Sequence, residues 1–233
     1  MNSLKIRWIG QSGYILNDGK TEICIDPYLS DVVNRIANRP RMVKAPLLPE
    51  ELKSDVVICT HNHLDHIDID AIPLIKKENI LFLAPDDAKQ TLLECGVINY
   101  KAFNEGTAVN IGDFELKAVF ADHTVPAIGV IIKHNGITMY FSGDTEYSKK
   151  LEGLKEYNID IMFICINGKL GNMNVGKAVQ LTKIINPKVG VPTHYGMFES
   201  NTENPLKYTA KLDCGFVMEY NKEYDAKEVL KSV

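Results

Sequence analysis

The stretch Thr60-His61-Asn62-His63-Leu64-Asp65-His66 contains three histidines and an aspartate within six residues. The apolar run 55–60 before it predicts a buried strand, and the segment 67–77 after it predicts a helix. Ligands gather in loops at the carboxyl ends of strands in layered α/β folds. Buried imidazole and carboxylate groups without partners would cost about 2–7 kcal/mol each. A shared metal ion removes that cost, so the sequence predicts a metal site here.

Three further side chains of the same types come just past other predicted strands. They are His123 after 114–120, Asp144 after 137–141 and His194 after 188–191. Asp122, beside His123, is an alternative functional group at that position. The sixth histidine, His134, falls in the turn Lys133-His134-Asn135-Gly136 and is expected to be a solvated turn residue.

Short strands and fewer helices are predicted along the whole chain. Asn17-Asp18-Gly19-Lys20 and Asn135-Gly136 indicate hairpins, and Asn174 is expected to cap a helix that Pro187 stops. The predicted helices are 67–77, 86–95, 175–185 and 204–212. The periodicity of apolar residues alone supports only a mixed α and β fold. Helices outside sheets in two halves suggest an α+β, four-layer αββα sandwich formed by a single domain over residues 1–233.

Composition favours an ordinary globular protein. The chain has 233 residues, 45% hydrophobic, with a formal net charge of −4 and no basic stripe, so no nucleic-acid partner is expected. Apolar runs are too short for a membrane span. No secretory signal is predicted. Five isolated cysteines favour free thiols and a cytoplasmic location.

The ordered set H-x-H-x-D-H, a lone His, Gly-Asp and a late His resembles the metallo-β-lactamase superfamily, from Trp8-Ile9-Gly10 to the C-terminal strand. This resemblance implies a metallo-β-lactamase fold and two divalent metal ions. One ion would be held by His61, His63 and His123. The other would be held by Asp65, His66 and His194, with Asp144 bridging the two. It also implies that Asp65, His66 and Asp144 are the catalytic residues.

Within the superfamily, the chain looks most like the L-ascorbate-6-phosphate lactonases. The motifs that carry this resemblance are His66-Ile67-Asp68, Gly143-Asp144-Thr145-Glu146-Tyr147-Ser148, the segment 167–174 and Pro192-Thr193-His194-Tyr195-Gly196-Met197-Phe198. The chain is considerably shorter than those lactonases. Nitrogen and oxygen ligands suit zinc, manganese or iron. The superfamily favours zinc, and the lactonase resemblance favours manganese.

These patterns predict a hydrolase in which a metal-bound hydroxide attacks a lactone or ester of a small, anionic metabolite. A phosphodiesterase acting on nucleotide, RNA or phospholipid is the alternative. A non-hydrolytic diiron oxidoreductase, in which a Glu would replace His63, and a metal-binding protein without catalysis are disfavoured. By analogy with the lactonases, the protein could form a homo-oligomer.

Several polar residues near the predicted site are candidates for other roles. Asp26 is expected to support a metal-binding histidine. Substrate contacts are predicted for Asn167, Asn172, Tyr195 and Arg41. Arg39 and Lys44, in the same Pro-rich loop as Arg41, could bind a phosphate or carboxylate. Each of these has an ordinary alternative as a turn, packing or surface residue.

Overall fold

The computed structural model describes residues 3–233. Its strands are β1 (Lys5–Gly10), β2 (Gly13–Asn17), β3 (Glu22–Ile25), β4 (Val56–Ile58), β5 (Leu81–Ala84), β6 (Tyr100–Ala102), β7 (Ala108–Ile111), β8 (Phe114–Phe120), β9 (Ile128–His134), β10 (Ile137–Phe141), β11 (Ile161–Cys165), β12 (Val189–Thr193) and β13 (Glu223–Asp225). The α-helices are α1 (Val32–Ala37), α2 (Lys89–Glu94), α3 (Val175–Ile185), α4 (Leu206–Thr209) and α5 (Ala226–Val229).

The strands form two sheets. The first sheet has the order β13-β1-β2-β3-β4-β5-β6, and the second has the order β12-β11-β10-β9-β8-β7. Neighbouring strands from β3 to β6 are parallel, as are those from β10 to β12. Each sheet therefore has a parallel half, and the carboxyl ends of those strands carry the loops that matter below.

Alternating side chains place one hydrophobic layer between the sheets and another outside the first sheet. Ile23 and Ile25 of β3 face the layer between the sheets, while Cys24 between them faces the outer layer, where Leu92 of α2 is buried. Helix α3 packs on β11 of the second sheet. Helices thus cover both outer faces. The predicted four-layer αββα sandwich is confirmed.

The two sheets are joined where the loop after β4 meets the segment that leads into β9. His61 forms an isolated β-bridge with Ala127, and the Ile128 amide donates to the Thr60 carbonyl at 3.1 Å. The segment that follows β4 in the first sheet is therefore fixed against the start of β9 in the second. This contact brings ligands from distant parts of the sequence to one place.

The predicted helix over 67–77 is wrong. The structure has turns there and a short 3-10 helix at Ile72–Leu74. The buried Asp68 carboxylate accepts the backbone N–H groups of Asp70 and Ala71, and also that of Leu29, so side-chain hydrogen bonds replace helical ones. The late helix is shorter than predicted, spanning Leu206–Thr209, and a 3-10 helix at Lys149–Tyr157 was not predicted.

The expectation that His134 is a solvated turn residue is also wrong. His134 is buried at the end of β9, its ring packs on Phe114 with centroids 4.4 Å apart, and its Nε2 lies 3.1 Å from Asp18 Oδ2. The other Asp18 carboxylate oxygen accepts the amides of Lys20 and Thr21. His134 and Asp18 therefore tie the hairpin between β2 and β3 to the second sheet.

We expect Asp18→Asn to lower the free energy of unfolding by about 1–3 kcal/mol at neutral pH. Burial alone would raise the pKa of Asp18, but the hydrogen bonds from Thr21, Lys20 and His134 hold it below its ordinary value of 3.8. A carboxyl group with a lowered folded-state pKa stabilises the fold above pH 3.8, and this contribution is lost as the pH falls through the folded-state pKa.

Urea denaturation of both proteins from pH 7 to pH 3 measures this effect. The stability difference between them should be constant near neutrality and shrink in acid. A difference that grows in acid would contradict the assigned role of Asp18.

Two smaller expectations concern cysteines and membranes. All five cysteines are free thiols, as predicted. Among residues 3–233, no helix combines the length and apolar character needed to cross a bilayer.

Candidate metal centre

Three histidines from two loops form one group of ligand atoms, which we call the histidine site: His61, His63 and His123. His63 Nδ1 lies 2.9 Å from His61 Nε2 and 3.2 Å from His123 Nε2. The side chains of His61 and His123 are fully buried, while His63 is half-buried and lines a cavity. The three nitrogen atoms are close enough to share one cation.

A second group, which we call the mixed site, consists of Asp65, His66 and His194. Asp65 Oδ2 lies 3.5 Å from His194 Nε2 and 3.9 Å from His66 Nε2. His66 lies in the loop that follows β4, and His194 comes directly after β12. These three residues also offer ligand atoms within reach of one cation.

Asp144, in the loop that follows β10, lies between the two groups. Its Oδ1 is 3.3 Å from His66 Nε2, and its Oδ2 is 3.1 Å from His194 Nε2 and 4.0 Å from His123 Nε2. The Asn172 amide donates to Oδ2 at 2.8 Å. The Asp144 carboxylate therefore faces ligand atoms of both groups.

The outer nitrogen atoms of three rings are held by other groups, which turns their Nε2 atoms inward. His66 Nδ1 lies 2.8 Å from Asp26 Oδ2, His61 Nδ1 lies 3.1 Å from Thr60 Oγ1, and His123 Nδ1 lies 3.1 Å from the Gly171 carbonyl. Gly171 makes the last contact feasible, because a Cβ there would lie 3.0 Å from His123 Nδ1. Fixing one ring nitrogen in this way orients the other toward a metal.

Three residues of the centre adopt left-handed backbone conformations that non-glycine residues rarely use. They are Gln11, Asp26 and His194, with φ of 50°, 45° and 60°. Such strain persists where surrounding contacts enforce it and is concentrated at functional sites. Asp26 Oδ1, for example, accepts the Thr60 amide at 2.7 Å, which ties the end of β3 to the end of β4.

Mutual electrostatics keep the carboxylates of the centre charged. Burial alone would raise the pKa of Asp144, yet His194 and His66 hold it well below its ordinary value. Burial lowers the pKa of His66 and His194, but neighbouring carboxylates outweigh it, and the pKa of His194 rises to about 9. The pKa of His61, by contrast, is held well below its ordinary value by burial and then by His66.

A bound cation would satisfy the facing nitrogen and oxygen atoms of the centre better than hydrogen bonds among them do. His66 Nε2 is buried without a hydrogen-bond partner among the described residues, although it faces Asp144. The rings of the histidine site point nitrogen atoms at one another at 2.9–3.2 Å. A divalent cation accepts nitrogen and carboxylate donors of this kind, so the residues present fit a metal centre.

Comparison with known proteins identifies the family. The sequence model of the Beta-lactamase superfamily domain matches residues 5–194. The chain belongs to this family. It is 30% identical to a UPF0173 metal-dependent hydrolase of Thermoplasma acidophilum, over 90% of this chain and 91% of the relative. It is 28% identical to one of Archaeoglobus fulgidus, over 87% of each.

A solved structure agrees on the fold. The metallo hydrolase Igni18 of Ignicoccus hospitalis superposes with a TM-score of 0.78 at 22% identity, covering 95% of this chain and 97% of that one. The chain is therefore a metal-dependent hydrolase of the metallo-β-lactamase superfamily, as predicted. The finer resemblance to the L-ascorbate-6-phosphate lactonases is not specifically supported by these relatives.

The four predicted substrate contacts have different surroundings in the hydrolase. Asn172 holds Asp144, and Asn167 donates to Asn201 Oδ1 at 2.8 Å. Tyr195 is buried against Trp8, with ring centroids 4.8 Å apart, and does not line the metal cavity. Arg41 donates to the carbonyls of Tyr28, Ser30 and Val43 and lies over the Tyr28 ring.

Arg41 therefore organises its own loop and does not line the metal cavity, so nothing in its surroundings supports the predicted substrate contact. Arg39, two residues earlier, lines that cavity instead. The cavity has a volume of about 330 Å³ and contains His63, Asp65, Asp144 and His194. Its remaining walls are Val33, Ala37, Leu64, Thr124, Leu170 and Asn201.

Sequence reasoning missed the contribution of Gln11 to the hydrolase. Gln11 is fully buried, and its Nε2 lies 2.8 Å from Asp65 Oδ2 and 3.4 Å from His194 Nε2. The signal was present as a polar pair, Gln11-Ser12, between Gly10 and Gly13 in an otherwise apolar strand–turn–strand segment. A buried polar pair in a tight turn indicates a nearby polar partner.

Proposed function

We propose that this hydrolase binds two divalent cations and cleaves a lactone or ester bond in a small, anionic metabolite. The observation that carries the proposal is the position of Asp144 between two groups of ligand atoms: its carboxylate lies 3.3 Å from His66 and 3.1 Å from His194 of the mixed site, and 4.0 Å from His123 of the histidine site. Single-metal sites need no such shared carboxylate.

The histidine site would hold one cation and the mixed site the other, with Asp144 bridging them. When bound, such a pair supplies a water of lowered pKa and polarises the oxygen atoms of the bond to be cleaved. Zinc, manganese and iron all accept this donor set. Zinc is the superfamily's usual ion, and the lactonase resemblance favours manganese.

The side chains around the cations orient the centre and can move a proton. Asp65 opens onto the cavity and is held by Gln11 and by its neighbour His194. Its pKa is well below its ordinary value, because His66 and His194 outweigh the effect of burial. A charged carboxylate at this position orients a water proton and can accept it. Asp144 and His66 complete the predicted catalytic set.

Charge at the cavity supports an anionic substrate. Arg39 lines the cavity, and no carboxylate among residues 3–233 pairs with its guanidinium. Arg39 and Leu170 also line an adjoining depression with Lys169. A planar guanidinium binds carboxylate or phosphate through two parallel hydrogen bonds. We therefore expect the acidic group of the substrate to contact Arg39 while the scissile bond lies at the cations.

The Arg39→Gln variant is expected to raise KM for an anionic ester or lactone about tenfold or more, because hydrogen bonds to a charged group contribute about 1.5–3 kcal/mol. KM for a neutral ester with the same scissile bond should change little. Initial-rate kinetics on the matched pair measure the effect. Arg35→Gln is the control, since Arg35 is exposed on α1 and pairs with Asp70. Equal losses on both esters would contradict the role of Arg39.

A substrate panel tests the reaction itself. Lactones, carboxylic esters and phosphodiesters, each in neutral and anionic forms, are incubated with the protein loaded with zinc or manganese, with and without chelator. The proposal expects chelator-sensitive hydrolysis of an anionic lactone or ester. Turnover of phosphodiesters alone would favour the phosphodiesterase alternative, and chelator-resistant turnover would refute the metal centre.

A further inference from the structure

Gln11 reaches the mixed site from the turn between β1 and β2. Its side-chain amide lies 2.8 Å from Asp65 Oδ2 and 3.4 Å from His194 Nε2. Both partners are proposed ligands of the same cation, and Gln11 itself is 0% exposed. The end of this side chain therefore occupies the same small volume as the ligand atoms of the mixed site.

The backbone holds Gln11 in this position. The Gln11 carbonyl accepts hydrogen bonds from Trp8 Nε1 at 3.0 Å, Thr193 Oγ1 at 2.7 Å and the His194 amide at 3.0 Å. These contacts fix a left-handed conformation, with φ of 50°, that a non-glycine residue adopts at an energetic cost. The same contacts join Gln11 directly to the segment that carries His194.

The amide group leaves one polar atom unsatisfied. Gln11 Oε1 is buried and has no hydrogen-bond partner among the described residues. The oxygen and nitrogen of a glutamine amide exchange positions by a rotation about one bond and are nearly identical in shape. Without a cation, the N–H group belongs beside the Asp65 carboxylate. Beside a cation held by Asp65 and His194, electrostatics favour the oxygen in that position.

We propose that Gln11 is a further ligand, through Oε1, of the cation in the mixed site. The proposal rests on the metal centre proposed above and is independent of the substrate. It makes the two sites more unequal in their chemistry. Besides the shared Asp144, the histidine site offers three nitrogen donors, whereas the mixed site offers the amide oxygen of Gln11 and the carboxylate of Asp65 beside two imidazoles. Oxygen donors favour manganese over softer ions, so the mixed site should be the one selective for Mn²⁺.

Two substitutions of Gln11 separate a ligand from a hydrogen-bond donor. Gln11→Met keeps the length and the unbranched Cβ but removes both polar atoms. Gln11→Glu keeps an oxygen and adds a charge, but it removes the N–H group. Apoprotein is titrated with Mn²⁺ alone, and the dissociation constants of both equivalents are obtained by calorimetry with metal analysis of the dialysed protein. Gln180→Glu is the matched control, because Gln180 contacts the Tyr147 hydroxyl at the exposed surface.

We expect Gln11→Met to weaken the Mn²⁺ equivalent bound at the mixed site by about 10- to 100-fold or more, because removing even a side chain that only hydrogen-bonds to a metal ligand has an effect of that size. Gln11→Glu should tighten that equivalent by about tenfold or more, while the other equivalent and Gln180→Glu stay unchanged. Weaker binding in Gln11→Glu would overturn the proposal, because it would mean that the N–H group holds Asp65. Unchanged binding in both variants would also overturn it.

Failure of the proposed metal centre would have a different signature. Wild-type protein that binds fewer than two equivalents of any divalent ion would contradict the two-cation centre and, with it, the proposed ligand.

Discussion

Asp144→Asn is expected to lower kcat/KM for the hydrolysed substrate by about 10²- to 10³-fold or more, the loss typical of removing a group that stabilises charge during reaction. Asparagine keeps the size of the side chain and can still contact Asn172. It removes the negative charge that faces His66, His194 and, at 4.0 Å, His123. Steady-state kinetics and metal content of the purified variant measure the effect.

Asp122→Asn is the matched control for Asp144→Asn. Asp122 lies beside His123, and its side chain is exposed. Asp122 was the alternative to His123 as the functional group after β8, so this control also tests that alternative. We expect unchanged kinetics and metal content in Asp122→Asn. Near-normal turnover in Asp144→Asn, or a comparable loss in Asp122→Asn, would contradict the assignment of the bridging residue.

The second large effect is expected at Asp26, which carries no predicted metal contact. Its carboxylate holds His66 Nδ1 at 2.8 Å and the Thr60 hydroxyl at 2.8 Å, and all three side chains are buried. Asp26→Ala should lower the free energy of unfolding by about 3–5 kcal/mol, because it leaves one member of a buried pair without its partner. Alanine is also disfavoured at the left-handed φ of 45°.

Asp26→Asn isolates the effect of charge. Asparagine tolerates the left-handed conformation and retains an acceptor for His66. We expect metal affinity and turnover to fall about 10- to 100-fold, with most of the stability retained. Thermal unfolding, metal titration and kinetics of both variants test this. Asp55→Asn is the control, since Asp55 also accepts a backbone amide but lies at the exposed surface. Full metal affinity in Asp26→Asn would contradict its role.

The candidate metal ligands could be found in the sequence for a physical reason. His61, His63, Asp65 and His66 share one loop after a strand, and His123, Asp144 and His194 each follow another strand. In the second sheet β10 and β12 run in the same direction, and so does β8, which the antiparallel β9 separates from β10. Their carboxyl ends therefore lie at one edge of the sheet, and strand ends that are distant in sequence become neighbours in space. The same reasoning predicted Asp26, which follows β3 and contacts His66 in the structure.

Other features depended on contacts that periodicity does not encode. Ile67, Ala71, Ile72 and Ile75 are buried at helix-like spacing, yet the Asp68 side chain takes over the backbone hydrogen bonds. His134 looked like a turn residue until the second sheet placed it against Asp18. The identical charges of Arg39 and Arg41 gave no indication that one faces the cavity while the other binds carbonyl groups of its own loop.

We propose that seven side chains hold two cations on either side of Asp144. Anomalous scattering from crystals of the protein loaded with Mn²⁺ or Zn²⁺, collected at the absorption edge of the metal, locates the bound ions. We expect two peaks, one among His61, His63 and His123 and the other among Asp65, His66 and His194, with Asp144 between them. A single peak, or peaks elsewhere with no metal bound by these side chains, would contradict the proposed two-cation centre.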